Sequence, residues 1–204
     1  MNKDWTGTSA SAFKMMGASN HCQDEREQND YYATDPIAIN KLLEKENFDK
    51  NKPIWECACG ELHLSKRLND LGYTVKNSDI VNRVKGGESI EIIDFLKDDF
   101  PEFDGSIITN PPYKYCTEFI LKSLDTIKTG NKVAMFLKLQ TLEGQDRYKK
   151  VFQKYPPKAV YVFVKRITCA KNGNFNLPSS SAVCYAWFVW EKGNYNQTII
   201  DWIV

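Results

Sequence analysis

The sequence predicts an α/β fold in a single domain, 1–204, built on a mostly parallel sheet that finishes in a C-terminal antiparallel hairpin. Three observations carry this expectation. From Pro53 onward, short apolar runs of strand length alternate with stretches of helical period. The first strand gives way to its helix through a glycine turn at Gly60. The last two β-rich segments, 159–164 and 182–190, have no helix between them, so they must run antiparallel if they pair.

Bulk composition fits one closed core. The chain has 204 residues, of which 42% are hydrophobic and 26% charged, values ordinary for a globular domain. No apolar run reaches the roughly 18 residues that a membrane span needs, and the opening MNKDWTGTSASAFKMM lacks the apolar centre of a secretory signal. No membrane partner and a cytoplasmic address are therefore expected. Cys22, Cys57, Cys59, Cys116, Cys169 and Cys184 are scattered, with only Cys57 and Cys59 close together, so they read as reduced thiols and no metal is expected. The net charge is +1, but residues 138–171 carry nine lysines and arginines against Glu143 and Asp146. That local excess suits either a solvated face or a phosphate-contacting surface.

Residues 1–30 are polar, rich in Ser, Asn and Gly, and without sustained period, and read as an irregular arm. Asp35-Pro36 should start a helix, since Asp caps free amides and Pro suits the first turn; Ile37, Ile39, Leu42 and Leu43 would form its apolar face. A strand over 54–59, a helix over 62–71 and a strand over 73–78 open a βαβ unit, and a third short run surrounds Ile90 to Ile93. A strand over 105–109 must stop at Asn110-Pro111-Pro112, because prolines cannot donate to a ladder. A helix over 115–127, a strand over 132–139 and a helix over 145–154 precede the two closing strands.

Four segments carry chemistry. Gly60, at the first strand–helix crossing, lets backbone approach a bound nucleoside, and Asp79, nineteen residues on, can accept hydrogen bonds from ribose hydroxyls. Asp94-Phe95, after the third strand, pairs an acceptor for an adenine amino group with a ring that can cover its face. Asn110-Pro111-Pro112-Tyr113 is the fourth. An exocyclic amine delocalises its lone pair into its ring, so methylating it requires acceptors aimed at both amine hydrogens. Asn110 offers a side-chain oxygen and Pro111 a main-chain carbonyl, on a platform stiffened by two fixed φ angles. Tyr113 adds a stacking face for a planar base, worth about 1–3 kcal/mol.

With these residues in view, the chain resembles the class I S-adenosylmethionine-dependent methyltransferases, and within them the small N6-adenine DNA methyltransferases often encoded by bacteriophages. The resemblance rests on Gly17 to His21, the run Asn29 to Pro36, the Glu56 to Gly60 turn, Asp79, Asp94-Phe95-Leu96 and the NPPY segment, in that order. It implies a Rossmann-like, seven-stranded fold, S-adenosyl-L-methionine as cofactor and DNA as partner, with a role in restriction-modification and the bacterial host cytoplasm as the address. It further implies that Tyr31, Tyr32, Thr34 and Pro36 close over the methionine part of the donor. By the same resemblance, Glu56, Ala58 and Gly60 line its carboxypropyl end, Asp79 meets its ribose, and Asp94 and Phe95 meet its adenine. Asn110, Pro111, Pro112 and Tyr113 would hold the target base. One departure is Leu62, which stands where the family has a second glycine, so a differently shaped donor loop or a lower donor affinity is expected.

The stretches between the motifs and after the last of them are short, so no separate target-recognition domain is expected. Site reading would fall to short elements, with Lys165, Arg166, Lys171, Asn174 and Phe175 as candidate substrate contacts. The NPPY chemistry leaves other targets open: N4 of cytosine, adenine in RNA, and the glutamine side-chain amide of a protein. A non-catalytic donor- or DNA-binding module, as in anti-restriction, is the remaining alternative.

Overall fold

The computed structural model describes residues 32–86, 88–167, 169–171 and 183–204. Strand β1 (Tyr32–Thr34) leads into α1 (Ile37–Leu43). As expected, the Asp35 carboxylate accepts the Ile37 N–H, at 3.0 Å. The buried face of α1 is Ala38, Ile39 and Leu42, whereas Ile37, expected inside, is turned to solvent beside the capped end.

Then follow β2 (Ile54–Glu56), α2 (His63–Asp70), β3 (Val75–Asp79), the two-residue β4 (Glu91–Ile92), β5 (Ser106–Thr109) and α3 (Cys116–Thr126). Strand β2 is shorter than its apolar run suggests. After Glu56 the chain turns, and Cys59 donates its N–H to the Ser78 carbonyl at 3.0 Å. Strand β6 (Lys132–Lys138) precedes α4 (Gln145–Arg147), which widens into a π-helical turn, Tyr148–Phe152. The chain closes with β7 (Ala159–Phe163), β8 (Cys169–Lys171), β9 (Tyr185–Glu191) and β10 (Ile199–Ile203).

Eight strands form one sheet in the order β10-β7-β9-β6-β5-β2-β3-β4. All neighbours are parallel except β9, which runs antiparallel to both β6 and β7. The expected antiparallel pairing of the last two strands is therefore present, with β9 wedged between β6 and β7. The eighth strand, β10, lies beyond the elements expected from the sequence; it extends the sheet beside β7 from Ile199↔Ala159 to Ile203↔Phe163. Strands β1 and β8 form a separate antiparallel ribbon joining the end of the arm to the loop that follows β7.

Both faces of the sheet are covered. Residues Val133 to Leu137 of β6 are all buried, sending Ala134 and Phe136 into one core with Leu42, Leu68 and Trp187, and Val133, Met135 and Leu137 into another with Trp55, Ile120 and Phe188. A buried carboxylate, Glu46, ties the loop after α1 to the sheet by accepting from Lys132 (2.6 Å), Tyr161 (2.7 Å) and Lys158 (3.0 Å). Burial pushes its carboxyl up, but these three donors outweigh that and hold it below the ordinary value.

Between β2 and α2, Gly60 (φ 52°) and Leu62 (φ 67°) both adopt positive φ. Leu62 is the sole non-glycine residue to do so among the described residues, and it is buried. The chain thus takes a left-handed step at the position where the resemblance noted from the sequence implies glycine. That step costs a branched residue about 1–2 kcal/mol, while a buried leucine side chain stabilises by about 2–5 kcal/mol against truncation. Burial is the larger effect, so Leu62→Gly should be less stable than the parent. Leu62→Ala keeps the strain and loses the packing, so stability in urea should fall in the order Leu, Gly, Ala. A Leu62→Gly protein with a higher denaturation midpoint would show that strain dominates.

Candidate active site

Strands β2, β3, β4, β5 and β6 are parallel and end at one rim of the sheet. The chain runs outward from β2 to β3 and β4, then returns to place β5 on the other side of β2. Such a reversal opens a crevice beyond the strand ends. A cavity of about 800 Å³ lies there, and each of the five strands contributes a wall residue at or just past its C-terminal end: Glu56, Asp79, Asp94, Asn110 and Lys138.

On one side of the cavity the carboxylates are held by their own backbone. Asp79 accepts the Gly60 N–H at 2.9 Å through Oδ2, and through Oδ1 the Val81 N–H at 3.1 Å and the Arg83 guanidinium at 3.0 Å. Asp94 accepts the Leu96 N–H and pairs with Lys97 at 2.9 Å. That lysine, with backbone bonds from Leu96 and Lys97, holds the Asp94 carboxyl below its usual range. Phe95 touches the cavity wall, but its ring stacks on Phe119 and Phe100 and meets the edge of Trp55, so it is largely a core residue. Glu56, buried at the end of β2, accepts a hydrogen bond from Ser65 of α2. Burial is the dominant influence on it and pushes its carboxyl up to about 8.

On the other side lies the turn Asn110 to Tyr113. The Pro112 carbonyl accepts the Tyr115 N–H at 2.9 Å, closing a tight turn that feeds directly into α3. The Asn110 amide nitrogen donates to the Thr34 hydroxyl of β1 at 2.8 Å. Tyr113 lies 5.9 Å from the ring of Tyr185, the first residue of β9, and Lys138 sits over the Tyr113 ring at 4.8 Å from its centroid.

The sequence-derived residues therefore converge in large part. Thr34, Glu56, Ala58, Asp79, Asp94, Phe95, Asn110, Pro111, Pro112 and Tyr113 share one cavity wall. Gly60 and Pro36 do not reach it: the Gly60 amide is turned onto Asp79, and Pro36 is taken up by the start of α1. Thr34, expected over the donor's methionine part, has the Asn110 amide as a partner. Lys165 and Arg166 are exposed past the end of β7, outside the cavity, and Lys171 lies in β8 opposite Tyr32. Tyr31, Asn174 and Phe175 lie outside the described residues. Residues that sequence reading missed include Arg83, Lys97, Lys114, Tyr115 and Lys138. Only Lys138 carried a signal, as the first cation of the basic stretch.

The raised carboxyl of Glu56 has a consequence for stability. Between its ordinary value of 4.5 and about 8, the unfolded chain releases the proton while the folded chain keeps it. This contribution is whole at low pH and is lost as pH rises through that window. Glu56→Gln retains an acceptor for Ser65 without the charge, so the melting temperature of the wild type should fall relative to this variant as pH climbs toward 8 and beyond. Parallel pH profiles for the two proteins would contradict the assignment.

No family model and no curated protein sequence matches the chain. Solved structures do. A Listeria monocytogenes protein assigned as a class I S-adenosylmethionine-dependent methyltransferase superposes with a TM-score of 0.59 at 15% identity, over 95% of this chain and 71% of that one. A Pyrococcus horikoshii protein assigned as an RNA methyltransferase gives 0.57 at 12% identity, over 91% of this chain and 99% of that one. The modification subunit of a protein assigned as a type I restriction enzyme from Vibrio vulnificus YJ016 gives 0.60 at 9% identity, over 93% of this chain and 48% of that one, so the chain spans about half its length. At these identities the likeness is one of fold: the chain has the Rossmann-like α/β fold found in class I methyltransferases.

Proposed function

We propose that the chain is an S-adenosylmethionine-dependent methyltransferase acting on the N6 amine of adenine in DNA. The observation that carries this reading is that the Asn110 to Tyr113 turn and the Glu56, Asp79 and Asp94 carboxylates share one cavity at the reversal of the sheet. Its volume of about 800 Å³ lies within the roughly 300–1,000 Å³ of cofactor sites. The residues fit the donor: Asp79 and Asp94 are acceptors fixed by backbone amides, and Glu56 lies deeper at the end of β2. When bound, the donor supplies an electrophilic methyl group on a positively charged sulfur.

The remaining work belongs to the chain. Thr34 takes the Asn110 amide nitrogen, which fixes the carboxamide plane and leaves the oxygen as the group for a target amine. The Pro111 carbonyl follows on the same rigid turn. Acceptors set in advance keep the lone pair of the amine directed out of its ring, and no strong base is needed because the proton leaves late. Tyr113 offers its face to a base drawn out of a duplex. Recognition of the surrounding sequence falls to Lys165, Arg166, Lys171, Asn174 and Phe175, of which Lys171 lies in the strand that pairs with β1, and the chain works as one domain. Adenine in RNA is the second substrate to assay, given the likeness to the Pyrococcus protein.

Asn110→Ala should lower methyl transfer about 10²–10³-fold with donor affinity by calorimetry nearly unchanged, whereas Asp79→Ala should weaken donor binding. The product is read by nuclease digestion and mass spectrometry of treated DNA. Equal loss of donor affinity in both variants contradicts this division of labour, and donor binding without a methylated base in any nucleic acid leaves a non-catalytic module.

Thr34→Val, which keeps shape but loses the acceptor, should reduce turnover about tenfold or more, with Thr34→Ser close to wild type and donor affinity steady in both. If Thr34→Val lowers donor affinity instead, Thr34 serves the donor.

A further inference from the structure

Four cations stand on the cavity wall, and they divide into two pairs. Arg83 and Lys97 are each matched to a carboxylate, Asp79 at 3.0 Å and Asp94 at 2.9 Å, and the side of the cavity they occupy is electrically settled. Lys114 and Lys138 belong to the Asn110 to Tyr113 side. Their contacts are aromatic: Lys114 lies over Tyr115 at 5.2 Å from the ring centroid and Lys138 over Tyr113 at 4.8 Å. Among the described residues, no carboxylate forms an ion pair with either.

We infer that Lys114 and Lys138 receive backbone phosphates on either side of the target, so that the substrate is a polyanionic nucleic-acid strand rather than a protein amide. This rests on the reading of the cavity given above. Lys138 covers the very ring on which a base would stack, and a base entering against Tyr113 displaces that ammonium. Ring–cation and ring–base contacts are of similar strength, so the exchange is nearly balanced on its own. A phosphate arriving with the base gives the displaced charge a stronger partner within reach of its flexible four-carbon stem. A glutamine side chain brings no anion, and it would leave both cations without an anionic partner at the mouth of the site. Tyr115, exposed next to Lys114, presents a second aromatic face along the same path.

The test uses the full chain with S-adenosylhomocysteine bound and fluorescein-labelled duplexes carrying one mismatched adenine, titrated by anisotropy from 50 to 200 mM salt. Each of Lys114→Gln and Lys138→Gln should make the slope of log K against log salt shallower by about 0.9, and the double variant by about 1.8. Lys138→Arg should keep the wild-type slope. Calorimetry with the donor monitors folding, and its affinity should be the same in every variant. An unchanged slope overturns the inference, as does donor affinity that falls with the lysines. A wild type that binds donor but no nucleic acid at the lowest salt also overturns it, and removes DNA as the substrate in favour of a protein amide while leaving the donor-binding reading of the cavity intact. Absence of donor binding by the wild type sinks that underlying reading instead.

Discussion

Parallel strands have their C-terminal ends on one rim, and the site depends on this directional constraint. Between β2 and β5 the chain reverses the direction in which it lays down the sheet, so the loops on either side of that boundary part and a cavity opens. Five strand ends thereby place Glu56, Asp79, Asp94, Asn110 and Lys138 on one wall. The antiparallel strand obeys the same geometry with opposite sign. Because β9 runs against β6, its first residue, Tyr185, pairs with Lys138 and stands beside Tyr113.

Order within the cavity comes from short-range bonds made before any ligand arrives. Asp79 holds three donors from residues 60, 81 and 83, and Asp94 is braced by the turn that follows it. These carboxylates are acceptors of fixed direction, the form in which acceptors cost least to reorganise around a bound group. Glu56 differs, because burial without a cation keeps its proton on near neutral pH. The wall therefore carries two charged acids matched to cations and one neutral acid deeper in.

The Asn110 turn is braced from outside the sheet. Thr34 reaches it from β1, and β1 is paired to β8, which lies in the segment after β7. A residue far along the chain thus bears on the orientation of the carboxamide through one ribbon and one hydroxyl. Leu62 shows the complementary behaviour: the left-handed step is imposed by the surrounding loop, and the residue there bears the strain because its side chain is buried.

Periodicity and turn chemistry alone determined the alternation of strands and helices, the glycine turn, the stop at two prolines and the residues that could accept hydrogen bonds, because these are properties of neighbouring residues. Strand β10 and the ribbon of β1 with β8 were not legible. A segment of three to five residues becomes a strand only when a distant edge offers its hydrogen bonds, as β7 does for β10. The same holds within the site: NPPY and Asp79 could be read locally, while the pairing of Arg83 and Lys97 with carboxylates, and of Lys114 and Lys138 with tyrosine rings, depends on distances between side chains. Charge type is written in the sequence, but whether a charge is matched is decided only once folding brings its neighbours within a few ångströms.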